Sequence, residues 1–304
     1  MSLPTGLKIS LRHNVKLSQY CTMQTGGMAA DFAEPENENE LLEILEGLRG
    51  EGRPFVILGK GSNVIFPDEG YQGVVISLLR FQSDQIIINK QTQTVVVAAG
   101  VHLYRFVTAC RDAGLGGAEF LANIPGSVGG AIVMNAGFSR FNAQTNEIAD
   151  ILTEIQVMDY DGQIRIIQRD RVPFGYRKSK LENVIILKAK FQLWKRPQEQ
   201  IQQEIDSNFK FRNTKQDLRY PSSGSIFKNP PMPHAKAAVL IEKAGLKGYR
   251  LGGAMISDRH CNYIVNVDHA TSKDVTDLIE FVQNKISETE GILLEPEIRI
   301  IKNP

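Results

Sequence analysis

The chain has 304 residues, enough for two or three compact units each with its own core, and its 42% hydrophobic and 23% charged residues are ordinary for a globular protein. Lys+Arg of 35 against Asp+Glu of 34 leaves a net charge of +1, which argues against a nucleic-acid partner, and no apolar run approaches the roughly 18 residues of a membrane span. Three scattered cysteines, Cys21, Cys110 and Cys261, form no CxxC pair and predict no metal site.

In chain order, Asn37 with Glu40 predicts a capped helix start, followed by Leu41, Leu42, Leu45 and Leu48 on one face. An apolar strand over 54–58 runs into Gly59-Lys60-Gly61-Ser62-Asn63, and a second strand follows over 74–78. Segments 86–88 and 95–99 read as a strand pair, and 102–113 as a helix with Gly114 where a left-handed cap belongs. A hairpin joins 152–160 to 164–167 across Asp161-Gly162, and 184–193 is a further strand. Composition shifts near Lys195-Arg196-Pro197, before a polar helix with Ile201, Ile205 and Phe209 on one stripe. A Gly/Pro-rich loop spans 220–233; helices over 234–244 and 271–290 enclose a strand at 263–267, and 293–301 closes the chain as a strand. The class is α+β, with predicted domains over 1–85, 86–196 and 197–304.

Five segments carry candidate chemistry. Gly59-Lys60-Gly61-Ser62-Asn63 stands at a strand end, where consecutive amides form either an anion-binding nest or a plain turn. Ile124-Pro125-Gly126-Ser127-Val128-Gly129-Gly130-Ala131, continuing to Asn135 and Gly137, has too many small residues to build a helix stripe. It suits a flat ligand and its phosphates lying against backbone, or a tight packed loop. Neither G-x-G-x-x-G after a strand nor G-x-x-x-x-G-K-[ST] occurs, so the common dinucleotide and nucleoside-triphosphate cradles are excluded. Tyr176-Arg177-Lys178-Ser179 offers one guanidinium fork, by itself as easily a surface arginine as an anion ligand. Gly224-Ser225-Ile226-Phe227-Lys228-Asn229-Pro230 places a serine hydroxyl near a cation, as a proton donor or as a capped turn. In Glu295-Pro296-Glu297-Ile298-Arg299, a strand would put Glu295, Glu297 and Arg299 on one face.

Together and in this order, these segments resemble the UDP-N-acetylenolpyruvoylglucosamine reductase family, over nearly the whole chain. The resemblance implies a two-subdomain FAD-binding module of the vanillyl-alcohol-oxidase type with a C-terminal α/β substrate domain. The short run from Arg177 to the strand at residue 184, and the short third domain, place it with the family's type II. It implies a reductase that uses NADPH and non-covalent FAD to convert UDP-N-acetylglucosamine enolpyruvate to UDP-N-acetylmuramate for peptidoglycan. By the same resemblance Arg177, Ser225 and Glu297 are catalytic, and Tyr176, Lys228 and Asn229 bind substrate. FAD contacts fall on Gly59, Lys60, Gly61, Ser62, Asn63, Ile124, Pro125, Gly126, Ser127, Gly129, Gly130, Asn135 and Gly137. The chain departs from the family pattern at Gln24-Thr25 and at Phe138-Ser139-Arg140-Phe141. A flavin oxidase of the same fold is disfavoured because many tether the ring through His or Cys in the first glycine loop, and residues 59–63 contain neither. A non-catalytic flavin binder would have no use for the Arg, Ser and Glu together. The expected partners are small molecules, with neither nucleic acid nor membrane, and the expected enzyme is a monomer. Sparse cysteines and an N-terminus without a signal-like apolar segment predict the cytoplasm.

Overall fold

The computed structural model describes residues 11–138, 146–232 and 235–304. They divide into two units. The first holds the described residues of Met1–Arg12, Phe32–Lys60 and Val74–Arg212; the second holds His13–Asp31, Gly61–Gly73 and Asn213–Pro304.

The first unit is built on an antiparallel sheet in the order Ile164–Gln168, Leu152–Asp159, Val184–Gln192, Thr94–Ala98, Ile86–Asn89. Alternation along the strands feeds two cores. Ile155, Val157, Ile186, Ala189 and Phe191 pack with Phe106, Val107, Val128 and Ile132. Met158, Ile185 and Leu187 pack with Leu41, Ile44, Leu45 and Leu48. The sheet is therefore covered on both faces.

The helix Glu38–Glu51 supplies the second core. Asn37 Oδ1 accepts the Glu40 N–H at 3.1 Å, while Glu40 Oε2 accepts the Glu36 N–H at 2.7 Å. Each leucine or isoleucine it buries contributes about 1.5–3 kcal/mol relative to exposure. The predicted hairpin and the strand pair are present, and the helix Leu103–Asp112 starts at His102 and passes into Gly114 at φ +70°. Helix Gln198–Lys215 buries Ile201 and Ile205 in the first core, with Phe209 packed at its margin. Phe55–Leu58 pairs in parallel with the 74–77 stretch of Tyr71–Ser77 and delivers the chain to Gly59.

The second unit carries an antiparallel sheet ordered Ser222–Ser225, Tyr263–Asn266, Ala254–Ile256, Arg250–Leu251. Helix Ser272–Glu290 opens with a Thr271/Asp274 capping box and buries Val275, Leu278, Ile279, Val282 and Ile286. These side chains share a core with Ile226, Phe227, Ala237, Ile241, Ile264 and Leu294.

Two sequence expectations are corrected. Residues 124–137 do contain a helix, Val128–Val133. Burial of Val128, Ala131 and Ile132, with Ser127 as cap, outweighs the roughly 1 kcal/mol per glycine that Gly129 and Gly130 cost a helix. The closing strand is only Arg299–Ile300, in parallel with Val64–Ile65. Pro296 meets Phe227 in a single bridge, Ile298 lies in a bend, and only then does the chain pair with Val64–Ile65, so the regular strand expected to put Glu295, Glu297 and Arg299 on one face is not formed. Residues 139–141 and the expected helix start at 234 lie outside the described residues; the helix begins at Ala237. No helix among the described residues is long and apolar enough to cross a membrane.

Candidate active site

In the first unit, the Phe55–Leu58 strand ends on Gly59, where a Cβ would lie 2.7 Å from Ser127 Oγ. Ser127 is buried and caps the Val128–Val133 helix, its Oγ accepting the Gly130 N–H at 3.4 Å. Val128 N–H donates to Val101 O at 2.9 Å and Gly129 N–H to Ala99 O at 3.0 Å. These bonds fix the helix start on the end of the Thr94–Ala98 strand. Among the described residues, the N–H groups of Lys60, Gly126 and Ser127 meet no protein acceptor. The position a Cβ would take at Gly126 or Gly130 meets nothing closer than Leu103 Cδ1 or Ser127 Oγ, each at 3.4 Å. An open backbone surface with unspent donors results. Burial first, and then the nearby cations Lys60 and Arg105, hold the His102 pKa below its ordinary value.

Arg177 also belongs to this unit. It sits at φ +54° inside the tight Gly175–Lys178 turn, whose two ends exchange N–H···O bonds of 2.9 and 3.2 Å. Its Nη2 donates to Gly137 O at 3.1 Å, and its guanidinium lies 3.7 Å from Glu147 Oε1 and 5.1 Å from the Tyr176 ring centroid. Asn135, buried and at φ +42°, organises this corner. Its Nδ2 donates to Glu147 Oε2 at 2.6 Å and to Gly175 O at 3.1 Å, and its Oδ1 accepts the Ala149 N–H at 3.4 Å. The Asn135 side chain is thus engaged with protein and holds the arginine turn. Ile124 and Pro125 lead into this loop, with Ile124 packed against the core.

In the second unit, Gly61 stands at φ +68°, and a Cβ there would fall 1.9 Å from Tyr20 O. Only glycine fits. The N–H groups of Gly61 and Ser62 meet no acceptor among the described residues. Thr22, whose N–H donates to Gly61 O at 3.0 Å, has a buried Oγ1 without a partner. Asn63 Nδ2 donates to Glu297 O at 3.0 Å, and Asn63 O accepts the Arg299 N–H at 3.1 Å.

Ser225 ends its strand after Gly224 at φ +75°. The chain beyond it is laid against 295–298: Ile226 O accepts the Glu297 N–H at 2.7 Å, and Lys228 N–H donates to Glu295 O at 2.9 Å. Lys228 Nζ reaches Glu295 Oε1 at 2.5 Å. Ser225, Lys228, Glu297 and Asn63 are therefore tied into one piece of backbone. Asn229 turns the other way, its Oδ1 accepting the Ala237 N–H at 3.1 Å at the start of a helix.

Sequence reasoning missed Glu147, which pairs with Arg177, and Asn262, which braces Phe227. Neither lies in a glycine-rich or charged motif. The one signal for Asn262 is an amide side chain placed immediately before the apolar Tyr263–Asn266 strand. A hollow of about 580 Å³ lined by Lys90, Gly114, Lys195 and Arg196 includes none of the candidate residues. Among the described residues no cluster of three or more His, Cys, Asp or Glu could hold a metal.

A family model described as FAD binding domain matches residues 29–168, and one described as UDP-N-acetylenolpyruvoylglucosamine reductase, C-terminal domain, matches 216–301. Open amides, glycines with free space beside them and an orphaned buried hydroxyl fit a dinucleotide held by backbone. Full-length relatives agree. UDP-N-acetylenolpyruvoylglucosamine reductase 2 of Bacillus anthracis is 38% identical over 98% of this chain and 94% of its own. The reductase of Streptococcus thermophilus is 41% identical over 96% and 93%. The crystal structure of the Thermus caldophilus reductase superposes with a TM-score of 0.79 at 34% identity, covering 97% of this chain and 99% of that one. The chain belongs to the UDP-N-acetylenolpyruvoylglucosamine reductase family, an FAD-dependent group of oxidoreductases.

Proposed function

We propose that this chain reduces UDP-N-acetylglucosamine enolpyruvate to UDP-N-acetylmuramate, a peptidoglycan precursor, with NADPH as the source of electrons. Bound FAD supplies the two-electron relay between the two substrates. Gly59, Lys60, Gly61, Ser62 and Asn63, with the 124–137 loop, hold it non-covalently. Lys60, Gly61, Ser62, Gly126 and Ser127 offer the unspent N–H groups, while Asn135 and Gly137 act from behind by fixing the arginine turn.

Arg177 faces the substrate carboxylate and holds the negative charge that develops there as the double bond is reduced. Such electrostatic stabilisation is usually the largest single contribution to catalysis. Glu147 and the Gly137 carbonyl orient the guanidinium for this task. Ser225 Oγ donates its proton to the substrate carbon next to the carboxylate, and the Lys228 ammonium eases that loss. Glu297 orients the enolpyruvyl group. Tyr176, Lys228 and Asn229 contact the rest of the substrate. In this reading 1–85 and 86–196 form the flavin module and 197–304 the substrate domain. The enzyme works in the cytoplasm as a monomer, where Cys21, Cys110 and Cys261, all buried and unpaired, need no oxidising environment.

The observation that carries this reading is the 2.7 Å bond between Ile226 O and the Glu297 N–H, which joins the Ser225 turn to the glutamate segment. Ser225→Ala tests it. The variant should lose about 10²- to 10⁴-fold in turnover, the usual range for a lost proton donor, while NADPH still reduces the flavin at the normal rate. Equal loss of flavin reduction would refute the role given to Ser225.

A further inference from the structure

We infer that Asn262 is a positioning residue for this reaction: its side-chain amide brackets the peptide of Phe227 and thereby sets the spacing of Ser225, Lys228 and Glu297. Asn262 Oδ1 accepts the Phe227 N–H at 3.0 Å, and Asn262 Nδ2 donates to Phe227 O at 2.8 Å. One side chain thus satisfies both polar groups of one residue, as a neighbouring strand would. The pairing also fixes the amide orientation, since a flip would set donor against donor and acceptor against acceptor. The Asn262 main chain adds a third bond, its carbonyl accepting the Ile226 N–H at 2.9 Å.

Three consecutive residues are held from two sides. Asn262 takes the N–H groups of Ile226 and Phe227. The opposite segment takes the Lys228 N–H at Glu295 O and gives the Glu297 N–H to Ile226 O. Those two bonds flank the isolated bridge between Phe227 and Pro296, so the polar groups of Phe227 itself point away from that segment and toward Asn262. The asparagine therefore satisfies the two groups that the backbone pairing on the other side leaves unpaired. At 5% exposure its amide has no water to compete with, so the two bonds hold firmly.

The residue type matters. Aspartate has nearly the same shape but presents a second acceptor where Nδ2 stood, and would push against the Phe227 carbonyl. Serine leaves room for a bridging water. Neither change touches a group proposed to contact flavin or substrate.

The inference rests on the roles proposed above for Ser225 and Glu297, and the test separates the two. In the FAD-loaded enzyme, flavin reduction by NADPH and reoxidation by UDP-N-acetylglucosamine enolpyruvate are followed separately under anaerobic stopped flow. This is done for the wild type, Asn262→Asp, Ser225→Ala and the double variant. Asn262→Asp should slow reoxidation about 10- to 100-fold, as a displacement of about 1 Å does, and leave reduction within twofold. In the Ser225→Ala background the same change should cost less than threefold, because the group it positions is gone. If Asn262→Asp does not fold, Asn262→Ser is measured in its place and should show the same split. Unchanged reoxidation, equal loss of both half-reactions, or full multiplication with Ser225→Ala would overturn the positioning role. A wild-type flavin that the enolpyruvyl substrate does not reoxidise would overturn the functional reading first and this inference with it.

Discussion

Asp217 shows how a single buried group governs behaviour outside the active-site motifs. Its side chain is fully buried, with Arg219 bonded to both of its oxygens at 2.8 and 2.9 Å and Ser257 Oγ donating at 2.8 Å. Arg219 also pairs with Asp258. The Arg219 hydrogen bonds, aided by Ser257, hold the Asp217 carboxyl well below the ordinary carboxylate pKa. Its folded-state pKa is thus lower than its unfolded one, so its stabilisation is complete above the unfolded value near ~3.9 and is lost as pH falls through the folded one. Asp217→Asn should therefore lower stability at pH 7 by about 1–2 kcal/mol, and the gap between the two proteins should begin to close only below about pH 4 and go on closing as the pH falls further. Denaturant melts across pH 3 to 7 measure this, and a constant gap between the two curves would contradict it. Residue-scale legibility follows the same logic. Ser225, Arg177 and Glu297 could be singled out because they sit in recognisable local segments. Asn262, Glu147 and Asp217 could not, because each acts on partners that the fold alone brings near.

At the scale of elements, capping and periodicity were readable. Asn37 and Glu40 announced the helix Glu38–Glu51, and alternation announced the antiparallel sheet. What escaped were short elements whose stability is tertiary. The six-residue helix Val128–Val133 contains two glycines and would not form in isolation. It exists because Val128 and Ile132 are fully buried and its first amides bond to Ala99 and Val101. The closing strand shrank to two residues because the chain meets Phe227 at Pro296, bends at Ile298 and changes partner to Val64–Ile65. Ser127 joins the glycine loop to the short helix, so Ser127→Ala should cost about 0.5–1 kcal/mol of stability, with a weaker hold on FAD. Thermal melts of apo and FAD-loaded protein test both effects. A larger loss in the apo protein than in the loaded one would contradict a cap that also shapes the flavin loop.

At the scale of the whole molecule, the sequence resemblance, the two matched domain models and the full-length relatives point to one activity, while composition alone allowed many. The balanced net charge of +1 fits the proposal that anions are handled locally, through amides, Arg177 and Lys228, rather than through a basic surface. The division of labour between the flavin and the Arg, Ser and Glu set is the central claim, because a flavin oxidase would need the first and not the second. The direct measurement is NADPH oxidation by the purified, FAD-loaded protein in air, with and without UDP-N-acetylglucosamine enolpyruvate. The account predicts slow background oxidation without that substrate and rapid, stoichiometric formation of UDP-N-acetylmuramate with it. Rapid NADPH oxidation by oxygen that the enolpyruvyl substrate does not accelerate would contradict it.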